Sequence, residues 1–227
     1  MTITSPTVPA AEAPPSLSIQ VESAGVVPHA AVPTLGFQLR LDNPGAQPVR
    51  ALALHARLQI AATGRRYDPR SQRRLVELFG LPPEWGRTLR SLPWTRATVM
   101  VPAFSRRVRA ELPVTCTYDF EVTATKYLHA LGGGEVPLEF LFSGTVFYAA
   151  EGRLQAAQLP WSTEARFGLP VALWRELMDL YYPERAWLRL HRDTVDKLYS
   201  YRARHTFASW EETLEALLRT AEPDRSE

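Results

Sequence analysis

Strict alternation of hydrophobic and polar residues is the first regular pattern along the chain, and it begins near residue 35. Alternation with period two is typical of a β-strand that buries one face. A second alternation covers residues 52–60, and Asn43-Pro44-Gly45 between the two has the composition of a turn. The sequence therefore predicts an antiparallel pair of strands. Its inward positions are Leu35, Phe37, Leu39, Leu41, Leu52, Leu54, Ala56, Leu58 and Ile60.

Further strands are predicted on both sides of this pair. An earlier strand is expected near residues 17–21. The later candidates are residues 98–104, 108–115, 120–128, 138–148 and 154–159. Because residues 138–148 are hydrophobic at positions of both parities, we expect a central, fully buried strand there. Several short strands separated by turn residues are typical of a two-sheet sandwich.

A helical pattern interrupts the strands after residue 68. Asp68 suits an N-cap and Pro69 suits the first position of a helix. Leu75, Leu78 and Phe79 then share one helical face, and the glycine that follows them can end the helix. The pattern predicts a helical insertion over about residues 69–91.

Helical spacing returns from Pro170 onward. The first helix of this region ends before Pro183, and a second is predicted for residues 193–204. Ser209 and Glu212 have the spacing of a capping box at the start of a third helix. The C-terminal part is therefore predicted to be helical.

These patterns together predict a mostly β, α+β fold. We expect an immunoglobulin-like antiparallel β-sandwich with an inserted helical segment and a C-terminal helical unit. The sandwich would cover residues 17–168, and the helical unit, packed on the sandwich, residues 169–221. Residues 1–16 are rich in proline, alanine, serine and threonine, which predicts a disordered segment. Residues 222–227 form a polar tail.

Composition narrows the cellular setting of the protein. A single cysteine, Cys116, cannot form an internal disulfide and fits a reducing compartment. No hydrophobic run approaches the roughly 18 residues of a membrane helix. The N-terminal segment also lacks the basic region and hydrophobic stretch of a secretory signal. We therefore expect a soluble, cytoplasmic protein without membrane insertion.

No motif in the sequence predicts catalysis, a metal or a cofactor. The five histidines lack the i, i+4 spacing of a helical metal pair, and no cysteine or carboxylate pattern completes a zinc site. Asp119 and Glu121 near Cys116 would raise the pKa of its thiol, which favours a small buried hydrophobe over a nucleophile. Gly132-Gly133-Gly134 lacks the lysine and hydroxyl of a phosphate-binding loop and is interpreted as a flexible turn. We expect no enzymatic activity.

Charge is concentrated in residues 65–109, which contain eleven arginines against Asp68, Glu77 and Glu84. This cluster has two interpretations. It is either a patch for an acidic partner or nucleic acid, or a solvated helix face with charges that protect strand edges. Two tryptophans nearby are candidate exposed anchors of a protein interface. The candidate protein-binding residues are Arg65, Arg66, Arg70, Arg73, Arg74, Trp85, Arg87, Arg90 and Trp94.

One long stretch and several short ones have a recognisable sequence. The long stretch is Glu135-Val136-Pro137-Leu138-Glu139-Phe140-Leu141-Phe142-Ser143-Gly144-Thr145-Val146-Phe147. The short ones are residues 78–80, 83–85, 101–104, 112–119, 126–128, 159–161, 169–171, 174, 178–179, 182–183 and 187. In these stretches the sequence resembles an uncharacterised bacterial family best known from actinobacteria, domain of unknown function 6084. The resemblance extends over most of the chain, from about residue 18 to 220.

The resemblance implies an association with nickel–iron hydrogenases, because genes of this family often lie beside hydrogenase genes. It supplies no catalytic residues. Our leading hypothesis is a non-catalytic, protein-binding assembly or scaffold factor whose partner is a hydrogenase subunit or maturation factor. The second is an anion or nucleic-acid binder that uses residues 65–109. The third is an enzyme whose site combines distant residues, such as Cys116 with a remote histidine.

Overall fold

The computed structural model describes residues 13–119, 122–183 and 190–221. The chain divides into two compact units, residues 1–186 and residues 187–227. Most of the predicted N-terminal disordered segment and the whole predicted polar tail lie outside the described residues.

The described part of the first unit contains eight strands and five helices. The strands are β1 (Ser18–Val26), β2 (Thr34–Asp42), β3 (Val49–Ile60), β4 (Leu92–Val101), β5 (Arg107–Thr115), β6 (Glu135–Ala150), β7 (Arg153–Gln158) and β8 (Glu164–Pro170). The helices are α1 (Pro69–Arg74), α2 (Val76–Phe79), α3 (Trp85–Thr88), α4 (Thr123–Ala130) and α5 (Val171–Tyr181). Short 3-10 turns cover Ala62–Gly64 and Pro82–Glu84.

The strands form two antiparallel sheets. The three-stranded sheet has the order β1-β2-β5, and the five-stranded sheet has the order β4-β3-β6-β7, with β8 also paired to β6. Phe37 of β2 is buried and meets Trp94, Phe140 and Phe167 of the larger sheet edge-to-face. The two sheets therefore face each other across one hydrophobic core.

The predicted hairpin strands β2 and β3 belong to different sheets. Burial alternates along most of β3 and the second half of β2, whereas residues 34–37 are all buried. Strand β2 pairs with β1 and β5, whereas β3 pairs with β4 and β6. Their connection at Asn43-Pro44-Gly45 thus crosses between the sheets. Asn43 is buried there, and its side-chain amide donates to the carbonyls of Gln47 and Ser105.

The fold class is α+β, with 40% of the chain in strands and 32% in helices, so the protein is less dominated by strands than expected. The finer assignment to an immunoglobulin-like sandwich is not shown by these pairings and stays a prediction.

The strand predicted at residues 120–128 is wrong. Residues 120 and 121 lie outside the described residues, and α4 follows almost directly. Ala124, Tyr127, Leu128 and Leu131 are buried, and their spacing of three and four residues is helical. Burial of this helical face against the insertion outweighs the strand preference of the neighbouring β-branched residues.

Two further differences concern β6 and β8. Strand β6 is central, but it is not fully buried: Phe140 and Phe142 point into the core, whereas Leu141 is only half-buried and Ser143 is exposed. Strand β8 was not predicted at all. It pairs with the first half of β6, and β7 pairs with the second half. The long strand β6 therefore has two shorter neighbours, one after the other.

Helices α1 to α3 lie within the segment predicted to be a helical insertion. Asp68 is the N-cap of α1, and its carboxylate accepts from the backbone N–H groups of Arg70 and Ser71. Leu75 and Phe79 are buried in the hydrophobic core. The insertion is therefore an integral part of the first unit.

Helix α5 belongs to the first unit, although the C-terminal helical unit was predicted to begin at residue 169. The second unit contains α6 (Arg192–His205) and α7 (Trp210–Ala221). The predicted cap of α7 is confirmed, because the N–H of Glu212 donates to Ser209 Oγ and its carboxylate accepts from the N–H of Ala208. Among the described residues of this unit, only Thr213 is buried.

Candidate functional site

The edge of the five-stranded sheet is interrupted by a turn between β7 and β8. Both strands pair with β6, one after the other, and the chain projects outward between them at residues 160–163. The N–H and the hydroxyl of Thr163 both donate to the carbonyl of Pro160, at 3.0 and 2.8 Å. On each side the chain returns to β6, through the bonds Leu159 N to Gly144 O and Phe142 N to Thr163 O, both 2.9 Å.

Trp161 lies at the outer end of this turn and is 95% exposed. A tryptophan side chain that contacts so little of its own protein contributes little to folding, because its hydrophobic surface stays in water. The turn is instead held by backbone hydrogen bonds and by the Thr163 hydroxyl. The fold thus presents a large aromatic group to solvent on a well-braced backbone.

Trp161 borders a shallow depression of about 480 Å³ on the outer face of the sheet. Strands β3, β4 and β6 supply the floor through residues of outward parity. His55 lies between Thr98 and Ser143, and its Nδ1 is 3.1 Å from the Thr98 hydroxyl. We call this region the sheet-face site. Its polar and aromatic members are His55, Arg57, Arg96, Thr98, Ser143 and Trp161.

Arg57 and Arg96 give the sheet-face site its positive charge. They are directly opposite each other across β3 and β4, and both are exposed. Neither has an ion-pair partner within residues 13–119, 122–183 and 190–221. Glu164 lies in the same row of the sheet, but it is two strands away from Arg57, a separation of about 9–10 Å.

A larger depression of about 740 Å³ lies at the other end of the same sheet, and both of its arginines already have partners. Arg166 pairs with Glu139 at 3.6 Å. Arg65 donates to the backbone carbonyls of Gly133 and Glu135 at 3.0 and 2.9 Å. Since these groups already have partners, this depression offers less to a charged ligand than the sheet-face site.

The residues predicted to form a protein-binding patch fall into two groups in the structure. The side chains of the first group contact their own protein. Arg65 braces the 132–134 loop through those two carbonyls and lies over the ring of Tyr67. Trp85 is partly buried, and its Nε1 donates to Gly80 O at 2.9 Å. Trp94 is partly buried against Phe37. These three side chains therefore have structural contacts, and the two tryptophans are not exposed anchors.

The other arginines of that predicted patch remain on the surface. They are Arg66, Arg70, Arg73, Arg74, Arg87 and Arg90, all exposed. A binding role for them stays a prediction, without an exposed aromatic group from either predicted tryptophan to accompany them. In the described part of the chain, an exposed aromatic group and unpaired charge instead come together at Trp161, Arg57 and Arg96, which are distant in sequence.

A family comparison agrees with the resemblance noted in the sequence. The profile of a family of unknown function, DUF6084, matches residues 14–226. This chain belongs to the DUF6084 family. The match covers both units of the DUF6084 chain but assigns no activity to it. A search of curated proteins returned no match.

Two solved structures that match this DUF6084 protein are distantly similar to it. IrmA from Escherichia coli is 14% identical with a TM-score of 0.32, over 66% of this chain and 89% of its own. A Bordetella pertussis protein designated ApaA is also 14% identical, with a TM-score of 0.27, over 69% of this chain and 94% of its own. TM-scores this low carry no argument about fold or function.

Cys116 of the DUF6084 chain lies in the core. Its side chain is 5% exposed, and burial raises the pKa of its thiol to about 12. A nucleophilic cysteine needs the opposite shift, because the thiolate is the reactive form. Among the described residues, no three histidine, cysteine or acidic side chains are grouped so as to hold a metal ion. None of the described helices is both long and hydrophobic enough to cross a membrane.

The 132–134 loop of the DUF6084 chain is held by side chains of α1, of α5 and of the connection that precedes α1. Ser71 Oγ accepts from Gly132 N at 3.1 Å, Arg65 donates to Gly133 O, and Arg175 donates to the carbonyls of Leu131 and Gly132. The flexible turn inferred from the sequence is thus a braced connection between α4 and β6.

Proposed function

We propose that this protein is a non-catalytic assembly or scaffold factor that binds a partner protein through its sheet-face site. The exposure of Trp161 is the observation that carries the proposal. Tryptophan and arginine are the residue types most enriched at energetically dominant positions of protein interfaces. Trp161 supplies the aromatic anchor, and Arg57 and Arg96 supply directional charge beside it.

The buried thiol of Cys116, whose raised pKa keeps it protonated, supports a binding role over nucleophilic catalysis. The exposure of the side chains of the sheet-face site supports it too, since enzymes usually enclose their substrates in clefts. A wide face with one projecting aromatic group is better suited to a protein surface. A partner could cover Trp161 and remove its hydrophobic area from water.

The partner implied by the family resemblance is a nickel–iron hydrogenase subunit or a hydrogenase maturation factor. This identity is part of the proposal and comes from the resemblance alone. The protein would act by holding a polypeptide, since the described residues offer no cluster suited to metal transfer.

Co-purification from the native host tests this proposal. The tagged full chain, a Trp161→Ala variant and a Leu180→Ala variant are compared by quantitative mass spectrometry. Leu180 is 61% exposed on α5, outside the sheet-face site, so it is a matched control for loss of an exposed hydrophobic group. We expect a hydrogenase component to be enriched by the unaltered chain and by Leu180→Ala, and lost with Trp161→Ala. Equal recovery with all three, or no hydrogenase component with any, would overturn the proposal.

Anion or nucleic-acid binding through residues 65–109 is the alternative, and the six exposed arginines of residues 66–90 favour it. It predicts binding to a labelled single-stranded oligonucleotide that weakens steeply as salt increases. Substitution of Arg73 and Arg74 by glutamine should then reduce the affinity. Undetectable binding to DNA and RNA at low salt removes this alternative.

A further inference from the structure

On the smaller sheet, two arginines on neighbouring strands share one carboxylate. Arg40 and Arg109 are directly opposite each other across β2 and β5. Glu22 binds both of them, with Oε1 3.2 Å from an Arg40 nitrogen and Oε2 2.8 Å from Arg109 Nε. Because Glu22 lies at an irregularity in the β1–β2 register, between Val21 and Ser23, its side chain can reach the pair.

Arg57 and Arg96 form a similar pair on the larger sheet, but they lack such a carboxylate among the described residues. They too are directly opposite each other on neighbouring antiparallel strands. Like charges in this position destabilise a sheet. No carboxylate within the described ranges forms an ion pair with either of them. The fold therefore leaves one of two similar arginine pairs without a counterion of its own.

We propose that Arg57 and Arg96 form a carboxylate-binding site, and that an acidic segment of the partner protein supplies the carboxylate that Glu22 supplies to Arg40 and Arg109. This inference rests on the proposed function, and it adds the chemistry of the partner. The carboxylate would accept hydrogen bonds from two guanidinium groups, an arrangement that is both stronger and more directional than a neutral hydrogen bond.

The surroundings of the pair favour a polypeptide over a nucleic acid. Met100 is 62% exposed, and it lies on the same outer face as Arg96, four residues along β4 or about 13 Å away. Leu154 is 69% exposed and lies opposite Ala149 at the far end of the same face. A polypeptide segment with both acidic and hydrophobic side chains would contact the arginines and these exposed hydrophobic side chains together. A phosphate backbone would leave the hydrophobic part uncovered.

Peptide binding to the full chain tests the inference. One probe is a labelled eight-residue peptide of alternating glutamate and leucine, and the second has glutamine in place of glutamate. The unaltered chain should bind the glutamate peptide about tenfold more tightly, because a carboxylate forms charge-assisted hydrogen bonds with both guanidinium groups and the neutral amide of glutamine does not. The double variant Arg57→Gln, Arg96→Gln should lose this preference. An Arg106→Gln control should keep it, since Arg106 is exposed on the connection between β4 and β5, away from the site.

Several results would overturn the inference. These are equal affinity for the two peptides, an unchanged preference in the double variant, and tighter binding of a labelled oligonucleotide than of the glutamate peptide. Inorganic phosphate that binds as tightly as the peptide would instead indicate a site for a free anion. Self-association that disappears in the double variant would assign the site to a second copy of this chain.

The co-purification experiment separates this inference from the proposed function. If Trp161→Ala loses the partner but the double arginine variant retains it, the binding role stands and the carboxylate chemistry is wrong. If the peptide preference depends on Arg57 and Arg96 but no partner is lost with Trp161→Ala, the carboxylate site stands and the proposed role of Trp161 is wrong.

Discussion

Gly144 of β6 lies against the backbone of Ala53 in β3, with no space between them for a side chain. A methyl group on Gly144 would lie 3.2 Å from the Ala53 carbonyl carbon, closer still to its oxygen, and 3.3 Å from the Cα of Leu54. All three atoms belong to the backbone of a paired central strand, so they cannot turn aside as a side chain could. Gly144 also accepts the hydrogen bond from Leu159 that begins the Trp161 turn.

Substitution of Gly144 by alanine should therefore destabilise the protein markedly. We expect a loss of about 3 kcal/mol in the free energy of unfolding, at the upper end for an overpacked interior. Urea unfolding followed by circular dichroism measures it. Gly86 in α3 is the matched control, because a Cβ there meets nothing within 4 Å. Gly86→Ala should be neutral or stabilise by up to about 1 kcal/mol. Similar losses for the two variants would contradict the prediction.

The hydroxyl groups of Tyr67 and Tyr127 form a short buried chain of hydrogen bonds. They are 2.8 Å apart, and Tyr67 Oη also donates to the carbonyl of Ala62 at 2.5 Å. Tyr127→Phe removes one bond and leaves Tyr67 with a partner, so it should cost about 1 kcal/mol. Tyr67→Phe leaves both Ala62 O and the Tyr127 hydroxyl without this partner and should cost more, up to about 3 kcal/mol.

Chemical unfolding of the two tyrosine variants and of the double variant checks this order. The double variant should be less destabilised than the sum of the two single losses, because both single changes remove the same bond. Equal costs for the two single variants, with strict additivity, would contradict the described hydrogen-bond chain.

The sequence pattern was sufficient for the strands whose inner face is strongly hydrophobic. The alternation in β2 and β3 predicts these two strands because it depends only on which face of a strand is buried, and not on which strand lies beside it. It failed for α4, where threonines and a valine favour a strand locally but Tyr127 and Leu128 pack as a helical face. Local preference is weak beside burial of so large a tyrosine.

The sheet-face site could not be predicted from local pattern at all. Arg57 and Arg96 are outward positions on strands separated by the whole helical insertion, and only the β3–β4 register places them opposite each other. Trp161 lies in a Pro-Trp-Ser-Thr turn, a composition that indicates a loop but not its exposure. Trp85 and Trp94 looked equally available in sequence, yet both pack inward.

The thiol of Cys116 should be protected from chemical modification in the folded protein. Burial raises the pKa of this thiol to about 12, so the thiolate is scarce at pH 8 and the side chain is also inaccessible. We expect no reaction with a thiol-specific reagent at pH 8 until the protein is unfolded in urea, when one equivalent reacts. Rapid labelling of the folded chain would contradict this environment.

The same pKa predicts how stability depends on alkaline pH. The folded state keeps the Cys116 proton more tightly than the unfolded state, whose thiol has a pKa of about 8.5. The stabilisation is therefore complete below about pH 8.5 and is lost as pH rises towards the folded pKa. At pH 10 the loss should be about 1–2 kcal/mol relative to pH 7. A Cys116→Ala variant should lack this component, and an equal alkaline loss in both proteins would refute the assignment.

Removal of one charge from each of the two arginine sites, by Glu22→Gln and by Arg57→Gln, should have different effects on the melting temperature. Hydrogen bonding to Arg109, together with the charges of Arg109 and Arg40, lowers the pKa of Glu22, so its carboxylate stabilises the folded state. Because this pKa is lowered, the stabilisation is present above the unfolded pKa of about 4.3 and is lost as pH falls through the folded value. Glu22→Gln should lower the melting temperature at pH 7 and have a smaller effect near pH 3.

Arg57→Gln should leave the melting temperature unchanged or raise it, because it removes an uncompensated like-charge pair from β3 and β4. Thermal unfolding of this variant, of Glu22→Gln and of the unaltered chain at low salt provides the comparison. Added salt should narrow the difference between the three proteins, since exposed charges are screened. If Arg57→Gln destabilised the isolated protein as Glu22→Gln does, Arg57 would have a counterion within the chain, and the argument for a partner's carboxylate would lose its basis.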